Sequence, residues 1–445
     1  MALYNDEHMI NKKIGVSGIG WWIIMLVTPI LLSCGSDTQP LFEPSIVWEA
    51  GEKGMDGYRI PGIVIAKDGT ALAFSEERPD YKDEAPKSLV VKRSNDKGKT
   101  WSQNIYIEKS DGEFWAANEH LIDSLDVKDK KEVWTNVAPI VDYVTGKVFF
   151  FYSLSEGTIA GQNIQRYTRV FYRVSADHGK TWSERNEITS LLHSKKGGSP
   201  NKDSDGNWVT DENGFACDYL GRAFHMPGPG HGIQLENGRL LLQLWNRKAL
   251  GILGEGQIPA DERQYGISTI YSDDGGQIWN YGSSFGHDGR NMNESRLAEL
   301  HNGDVYVNAR YTEDNPGDRN NHRAVAISKD QGVSWQNILI DENFPKSNQC
   351  DAGLIAIPQN NGDNKNILLY SKNESTEGRE NLTVRLSFDE GKSWPVSRVV
   401  DEGPAWYSDM ALLPDHTVLL IYETGKDSPV KVVRFNLDWL NEEDK

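Results

Sequence analysis

The chain has 445 residues, of which 38% are hydrophobic and 25% charged, with 42 glycines, 14 tryptophans and 17 tyrosines. That is the composition of a folded globular protein, and frequent glycine with short apolar runs favours many short strands joined by tight turns over long helices. A net charge of −18, from 47 basic and 65 acidic residues, excludes a general affinity for nucleic acid or anionic membrane surfaces, so an anionic ligand must be met by a local concentration of Arg or Lys.

Lys12 and Lys13 precede an uncharged run from Ile14 to Ser33, densest in apolar residues from Trp21 to Leu32. A basic segment before an apolar one reads as an export signal. The run ends Leu31-Leu32-Ser33-Cys34-Gly35, which resembles the lipobox of bacterial lipoproteins. The resemblance implies removal of residues 1–33, acylation of Cys34, and a domain working outside the cytoplasm, in the periplasm or at the cell surface. Its membrane contact is then through the lipid anchor only. The same residues also allow an uncleaved transmembrane anchor, because about 20 uncharged residues span a bilayer. Met9 lies closer to the lysines and is a second candidate start.

Residues 40–445 show no linker, Pro-rich tract or low-complexity segment and read as one domain of short strands. Tyr58-Arg59-Ile60-Pro61 opens the first strand region. Phe74-Ser75-Glu76-Glu77-Arg78 follows, then Asp80, Asp83 and Val90-Val91-Lys92-Arg93. At Ser94 begins the first of five copies of Ser-x-Asp-x-Gly-x-x-Trp, the others starting at Ser175, Ser272, Ser328 and Ser387. Each copy has the chemistry of a hairpin turn: Ser and Asp side chains accept backbone N–H groups, Gly takes a positive φ, and Trp packs over the turn. Asp96, Asp177, Asp274, Asp330 and Asp389 are therefore expected to be structural and are discarded as catalytic carboxylates.

Between the copies, Trp134-Thr135-Asn136-Val137-Ala138-Pro139 leads into an apolar strand, and the polar stretch 195–213 reads as a long surface loop. Gly228-Pro229-Gly230-His231-Gly232 precedes another strand; His231 is expected at a structural or pocket-rim position rather than as a general base. In the second half come Asn293-Glu294-Ser295, then Arg310 16 residues after Glu294. Arg379, Trp406-Tyr407-Ser408-Asp409 and Ile421-Tyr422-Glu423 complete the series, and Arg385 reads as an ordinary strand residue. Cys217 and Cys350 are far apart and lack metal-ligand spacing; they read as buried free thiols, with a disulfide as the alternative.

The five copies resemble the Asp boxes of sialidases and related β-propellers, and the motifs in their order along the chain resemble the sialidase family throughout. Box spacings of 81, 97, 56 and 59 residues, against roughly 40–50 for a four-stranded blade, leave extra sequence in the first two intervals. An all-β, six-bladed propeller with one or two boxless blades is the expectation. The resemblance implies an exo-α-sialidase acting on sialylated glycans with retention, without metal or organic cofactor. It assigns Arg59, Arg310 and Arg379 to the substrate carboxylate, Arg78 to the substrate pocket and Glu423 to orienting Arg59. Tyr407 becomes the nucleophile, Glu294 its base and Asp83 the acid/base, with Asp80 as a competitor for that last place.

The chemistry agrees with such a set. Three planar guanidinium groups can grip one carboxylate with charge-assisted bonds. An anomeric carbon that already bears a carboxylate repels a carboxylate nucleophile, whereas a tyrosine activated by a glutamate is neutral, and tyrosine-nucleophile sialidases are a known exception among glycosidases. Trp115 and Trp134 are candidates for the N-acetyl and aglycone pockets. An intramolecular trans-sialidase, a preference for the deaminated sugar, and a non-catalytic binding propeller are the competing readings; intact Tyr407, Glu294 and Asp83 argue against the last.

Overall fold

The computed structural model describes residues 39–118, 131–156, 167–212, 214–248, 264–287, 291–311, 320–359 and 365–442. Cys34 and the export segment lie outside them. Residues 39–445 form one unit, in which six antiparallel sheets are the blades of a propeller.

After β1 (Phe42–Trp48), blade I holds β2 (Gly57–Ile65), β3 (Ala71–Arg78), β4 (Ser88–Ser94) and β5 (Ile105–Glu108). Blade II holds β6 (Trp134–Val141), β7 (Val148–Glu156), β8 (Tyr167–Ser175) and β9 (Asn186–Glu187). In blade III, β10 (Phe224–Pro227), β12 (Leu240–Arg247), β13 (Gly266–Ser272) and β14 (Asn280–Phe285) lie side by side, with β11 (Ile233–Gln234) also on β12. Blade IV comprises β15 (Ser295–Glu299), β16 (Val305–Arg310), β18 (Arg323–Ser328) and β19 (Gln336–Asp341); β17 (Asn320–Asn321) pairs outside it with β20 (Ser347–Asn348). Blade V is β21 (Gly353–Ile357), β22 (Ile367–Asn373), β23 (Glu380–Ser387) and β24 (Val396–Pro404). Blade VI takes β25 (Ser408–Leu412), β26 (Val418–Glu423) and β27 (Val430–Phe435), and its outer strand is β1.

This arrangement explains the number of boxes. Each box occupies the turn between the third and fourth strands of blades I to V. In blade VI the fourth strand arrives from the other end of the chain, so no such turn exists. Within each box the serine hydroxyl bonds the aspartate and accepts the glycine N–H, as Ser94 Oγ does with Asp96 at 2.7 Å and Gly98 at 2.8 Å. Aspartate Oδ1 takes an N–H four residues on, for example Thr181 N at 2.9 Å from Asp177. The structural role expected of the box aspartates holds.

The box glycines are also inter-blade contacts. A Cβ at Gly98, Gly179, Gly276, Gly332 or Gly391 would meet Leu419, Leu72, Phe149, Leu241 or Tyr306 at 3.2, 2.9, 2.1, 2.4 and 3.1 Å. Each partner lies on the second strand of the preceding blade, so the turns lock neighbouring blades together.

The polar stretch expected as a long surface loop carries no regular strand or helix over its described residues 195–212 and is mostly exposed. It is built as a ladder of turns with an eight-residue step, in which Asn201, Val209 and Cys217 N–H groups bond the carbonyls of His193, Asn201 and Val209, each at 3.0 Å. Asp203, Asp211 and Asp218 hold successive turns by accepting backbone N–H groups. Trp115 and Trp134 are buried in the core between blades I and II rather than lining a pocket. Cys217 and Cys350 are free and buried.

Candidate active site

The site residues stand at equivalent places in different blades. Arg59 on β2 is paired with Glu76 on β3. Ser295 on β15 opposes Ala309 on β16, which sets Glu294 against Arg310: Arg310 N donates to Glu294 O at 2.7 Å and Asn293 N to Arg310 O at 2.9 Å. Ser408 on β25 opposes Tyr422 on β26, so Tyr407 likewise faces Glu423, with Glu423 N donating to Tyr407 O at 3.1 Å. The 16-residue interval noted between Glu294 and Arg310 is thus a hairpin register, and it recurs between Tyr407 and Glu423.

Tyr407 is buried, and its hydroxyl donates to Glu294 Oε1 at 2.5 Å. Burial and then the Glu294 charge push its pKa well above the ordinary phenol value, against the pull of Arg310 and Arg379. The phenol is therefore neutral at rest and already bonded to the Glu294 carboxylate. Arg310 Nη1 donates to Glu294 Oε2 at 2.8 Å and to the Tyr407 hydroxyl at 3.3 Å. Arg59 and Arg379 each lie with the guanidinium carbon 5.6 Å from the Tyr407 ring centroid. All three triad arginines converge on one tyrosine.

Arg59 is aimed by a bulge. The β2–β3 register shifts between Arg59 and Gly62, and Ile60 stands at φ 55°, a conformation costly for a β-branched residue. Glu423 holds it there: Oε1 accepts Ile60 N at 2.6 Å and Oε2 accepts Arg59 Nε at 3.3 Å. One carboxylate thus meets both the Ile60 backbone and the Arg59 guanidinium. Blade II repeats the device without the arginine, since Asn136 at φ 62° gives its N–H to Glu76 Oε1 at 2.7 Å.

Asp83 stands at the mouth, its side chain 64% exposed, 2.7 Å from Arg78 Nη1 and 3.3 Å from Arg59 Nη1. Desolvation by its surroundings raises its pKa, but Arg78, Arg59 and Lys87 outweigh this and hold it well below the usual carboxylate range. Asp80, its competitor, is bonded to Lys82 N at 3.0 Å and paired with Lys82 instead. Arg78 is almost wholly buried, and its donors go to Glu76, to Tyr81 O at 2.9 Å and to Asp83. It is brought to the site as the support of Asp83.

Three residues escaped the sequence reading. Gln349 bridges two triad arginines, its carbonyl accepting Arg379 Nε at 2.9 Å and its side chain accepting Arg310 Nη2 at 3.3 Å. Tyr81 and Trp406 pack over Arg59 at 5.5 and 5.0 Å. No pattern marks Gln349, whereas Trp406 is adjacent to Tyr407 and was within reach. Arg385 forms a two-bond pair with Glu374, at 2.6 and 2.7 Å. Among the described residues no cluster of His, Cys, Asp and Glu has metal-site geometry.

The family model for the BNR repeat-like domain matches residues 104–420. The sialidase of Micromonospora viridifaciens is 29% identical over 416 residues, covering 90% of this chain and 55% of that protein. A sialidase of Bacteroides fragilis is 27% identical over 393 residues, covering 85% and 62%. The chain thus spans a little over half the length of these relatives. Among solved structures, the Hadza microbial sialidase Hz136 superposes with a TM-score of 0.68 at 25% identity, covering 89% of this chain and 69% of that one. The intramolecular trans-sialidase of Ruminococcus gnavus shares the fold, with a TM-score of 0.64 at 16% identity over 90% and 99% of the two chains. With the family model spanning most of the chain and the boxes closing five of six blades, the chain belongs to the BNR repeat-like family and has the six-bladed fold of the sialidases.

Proposed function

We propose that the chain is an exo-α-sialidase that releases terminal sialic acid from glycans with retention of configuration. The observation that carries this reading is the Tyr407 hydroxyl, bonded to Glu294 at 2.5 Å among Arg59, Arg310 and Arg379. The three arginines bind the carboxylate on the anomeric carbon. Tyr407 attacks that carbon as Glu294 takes its proton, while Asp83 protonates the leaving glycan oxygen; Asp83 then activates water against the tyrosyl intermediate. Two displacements retain configuration. Arg78 acts through Asp83, and Glu423 through Arg59.

Release of umbelliferone from a 4-methylumbelliferyl sialoside tests the reading. Tyr407→Phe keeps the ring and its packing, so Tm should hold while kcat falls by roughly three orders of magnitude or more, as for loss of a nucleophile. A Phe variant retaining a tenth of the wild-type kcat would exclude Tyr407 from that role.

We further propose an exported lipoprotein anchored through Cys34, supported by the Leu31–Gly35 sequence. Cys34→Ala should abolish labelling by a radioactive fatty acid and move the protein out of the membrane fraction. Absence of label on the wild type would instead support the transmembrane alternative.

A further inference from the structure

Two residues beyond Tyr407 the chain enters the propeller axis with a fully buried carboxylate. Asp409 Oδ2 accepts Ile63 N of blade I at 3.1 Å and His231 N at 3.3 Å. Its Oδ1 is 2.8 Å from His231 Nδ1 and 3.5 Å from Arg296 Nε of blade IV. Arg296, also fully buried, pairs with Asp351 at 2.6 Å and donates from Nη2 to Ser408 O at 3.3 Å. The Ser408 hydroxyl meets Ser371 Oγ of blade V at 2.9 Å. The carbonyl and side chain next to the tyrosine are thereby tied to blades IV and V, and the following carboxylate to blade I and to His231 of blade III.

The surroundings are cut to admit this network. Gly230 has φ 77°, and a Cβ there would fall 2.2 Å from the Arg296 guanidinium. At Gly353 a Cβ would lie 3.3 Å from Asp409 Cα. Buried ion pairs contribute little net stability, and apolar residues of similar volume are often as good or better. Stability alone therefore gives weak reason for charges on the axis. Position gives a stronger one, because a tyrosine nucleophile must be held within about 0.5 Å of its productive geometry relative to its base and the reacting carbon.

We propose that Asp409 and Arg296 form an axial pin that sets the depth of the Tyr407 hydroxyl against Glu294, and so act as positioning residues for the nucleophile. The inference rests on Tyr407 being the nucleophile. The pin touches neither the arginines that grip the substrate carboxylate nor Asp83. Its loss is expected to slow attack far more than it weakens ground-state binding.

Two measurements on the full chain separate these effects. The affinity of the unsaturated analogue of sialic acid, by calorimetry, reads the arginine pocket and the fraction of folded sites. The rate of covalent trapping by a 2,3-difluoro sialic acid, with the labelled residue located by mass spectrometry, reads the placement of Tyr407. Asp409→Asn should trap roughly a hundredfold more slowly, the scale expected for an ångström of misplacement. It should bind the analogue within about threefold of wild type at full stoichiometry, a small step on the affinity scale. Equal losses in both measurements, or trapping at the wild-type rate, would overturn the pin. Should Asp409→Asn not fold, Arg296→Lys keeps the buried positive charge, removes the guanidinium bond to the Ser408 carbonyl and carries the same test. Trapping slowed by about tenfold with binding kept, as one anchoring hydrogen bond is lost, supports the pin, and wild-type trapping refutes it. The wild type serves as control for the reading beneath: a difluoro label absent from Tyr407 of the unmutated chain defeats the nucleophile assignment and not the pin.

Discussion

Arg59 reaches the pocket because the residue after it holds a conformation that β-branched side chains avoid. The grip of Glu423 on both the Ile60 N–H and the Arg59 guanidinium stabilises that bulge and the charge together, so one carboxylate serves backbone and side chain. Asp83 shows the converse, a side chain held in a state unsuited to its proposed task. Bridged between Arg78 and Arg59, it is ionised in the free protein. Because its folded pKa lies below the unfolded value, the bridge contributes stability that is present above about pH 4 and lost as pH falls through the folded pKa. A proton donor needs the opposite shift. On the proposed reading the substrate would supply it: a carboxylate settling on Arg59 would compete with Asp83 for that cation and add a negative charge nearby, and both effects raise the Asp83 pKa. Binding of the unsaturated analogue near pH 5 should then take up protons, read as a calorimetric enthalpy that varies with buffer ionisation enthalpy. In Asp83→Asn the buffer dependence should vanish. A wild type with no proton uptake would show that Asp83 stays ionised in the complex.

At the scale of the element, the box turn combines two demands on one glycine. Gly276 needs a positive φ of 81° and has the Phe149 ring where a Cβ would go, 2.1 Å away. Gly51 has a similar φ of 77° with nothing within 4 Å. Comparing alanine at the two positions separates conformation from contact. Gly51→Ala should cost about 1 kcal/mol, the penalty for a left-handed L-residue. Gly276→Ala adds overpacking of about 1–3 kcal/mol, because a rigid ring on the preceding blade must move. Urea unfolding measures both, and equal losses would mean that the box glycine is retained for its φ alone. The inner hairpins follow a second rule. In blades IV and VI the residue just before the first strand faces the end of the second, as Glu294–Arg310 and Tyr407–Glu423 do, while in blade I the pair Arg59–Glu76 lies within the two strands.

For the whole molecule, closure of the ring depends on β1. It pairs along β27 from Phe42↔Phe435 to Trp48↔Val430, and Trp48 is buried against Tyr58 with ring centroids 5.4 Å apart. Without this strand, blade VI ends in an open edge, and the stacking of Trp48 on Tyr58, one of the contacts joining the last blade to the first, is lost. Trp48→Ala should lower unfolding free energy by about 3–5 kcal/mol, the usual cost of removing a buried tryptophan. Because β1 lies on the rim, kcat at temperatures where the variant is folded should stay near wild type. A loss of kcat equal to that of a pocket mutation would show that ring closure and the pocket are coupled.

Turns and local registers were determined by sequence alone. Five octapeptides placed five blade turns, because the bonds that make a box run between residues at most four apart. The 16-residue step from Glu294 to Arg310 carried a hairpin pair for the same reason, since strand register is local. The order of Arg59, Asp83, Glu294, Arg310, Arg379, Tyr407 and Glu423 was legible through resemblance to a family, while composition and spacing were silent on it. Only the tertiary structure decided what depends on blades meeting. It put Trp115 and Trp134 in the core, turned Arg78 under Asp83, set Gln349 between two arginines and ran Asp409 into Arg296 across the axis. Asp409 and Arg296 stand 113 positions apart, and nothing within a short segment encodes which distant side chain will face it.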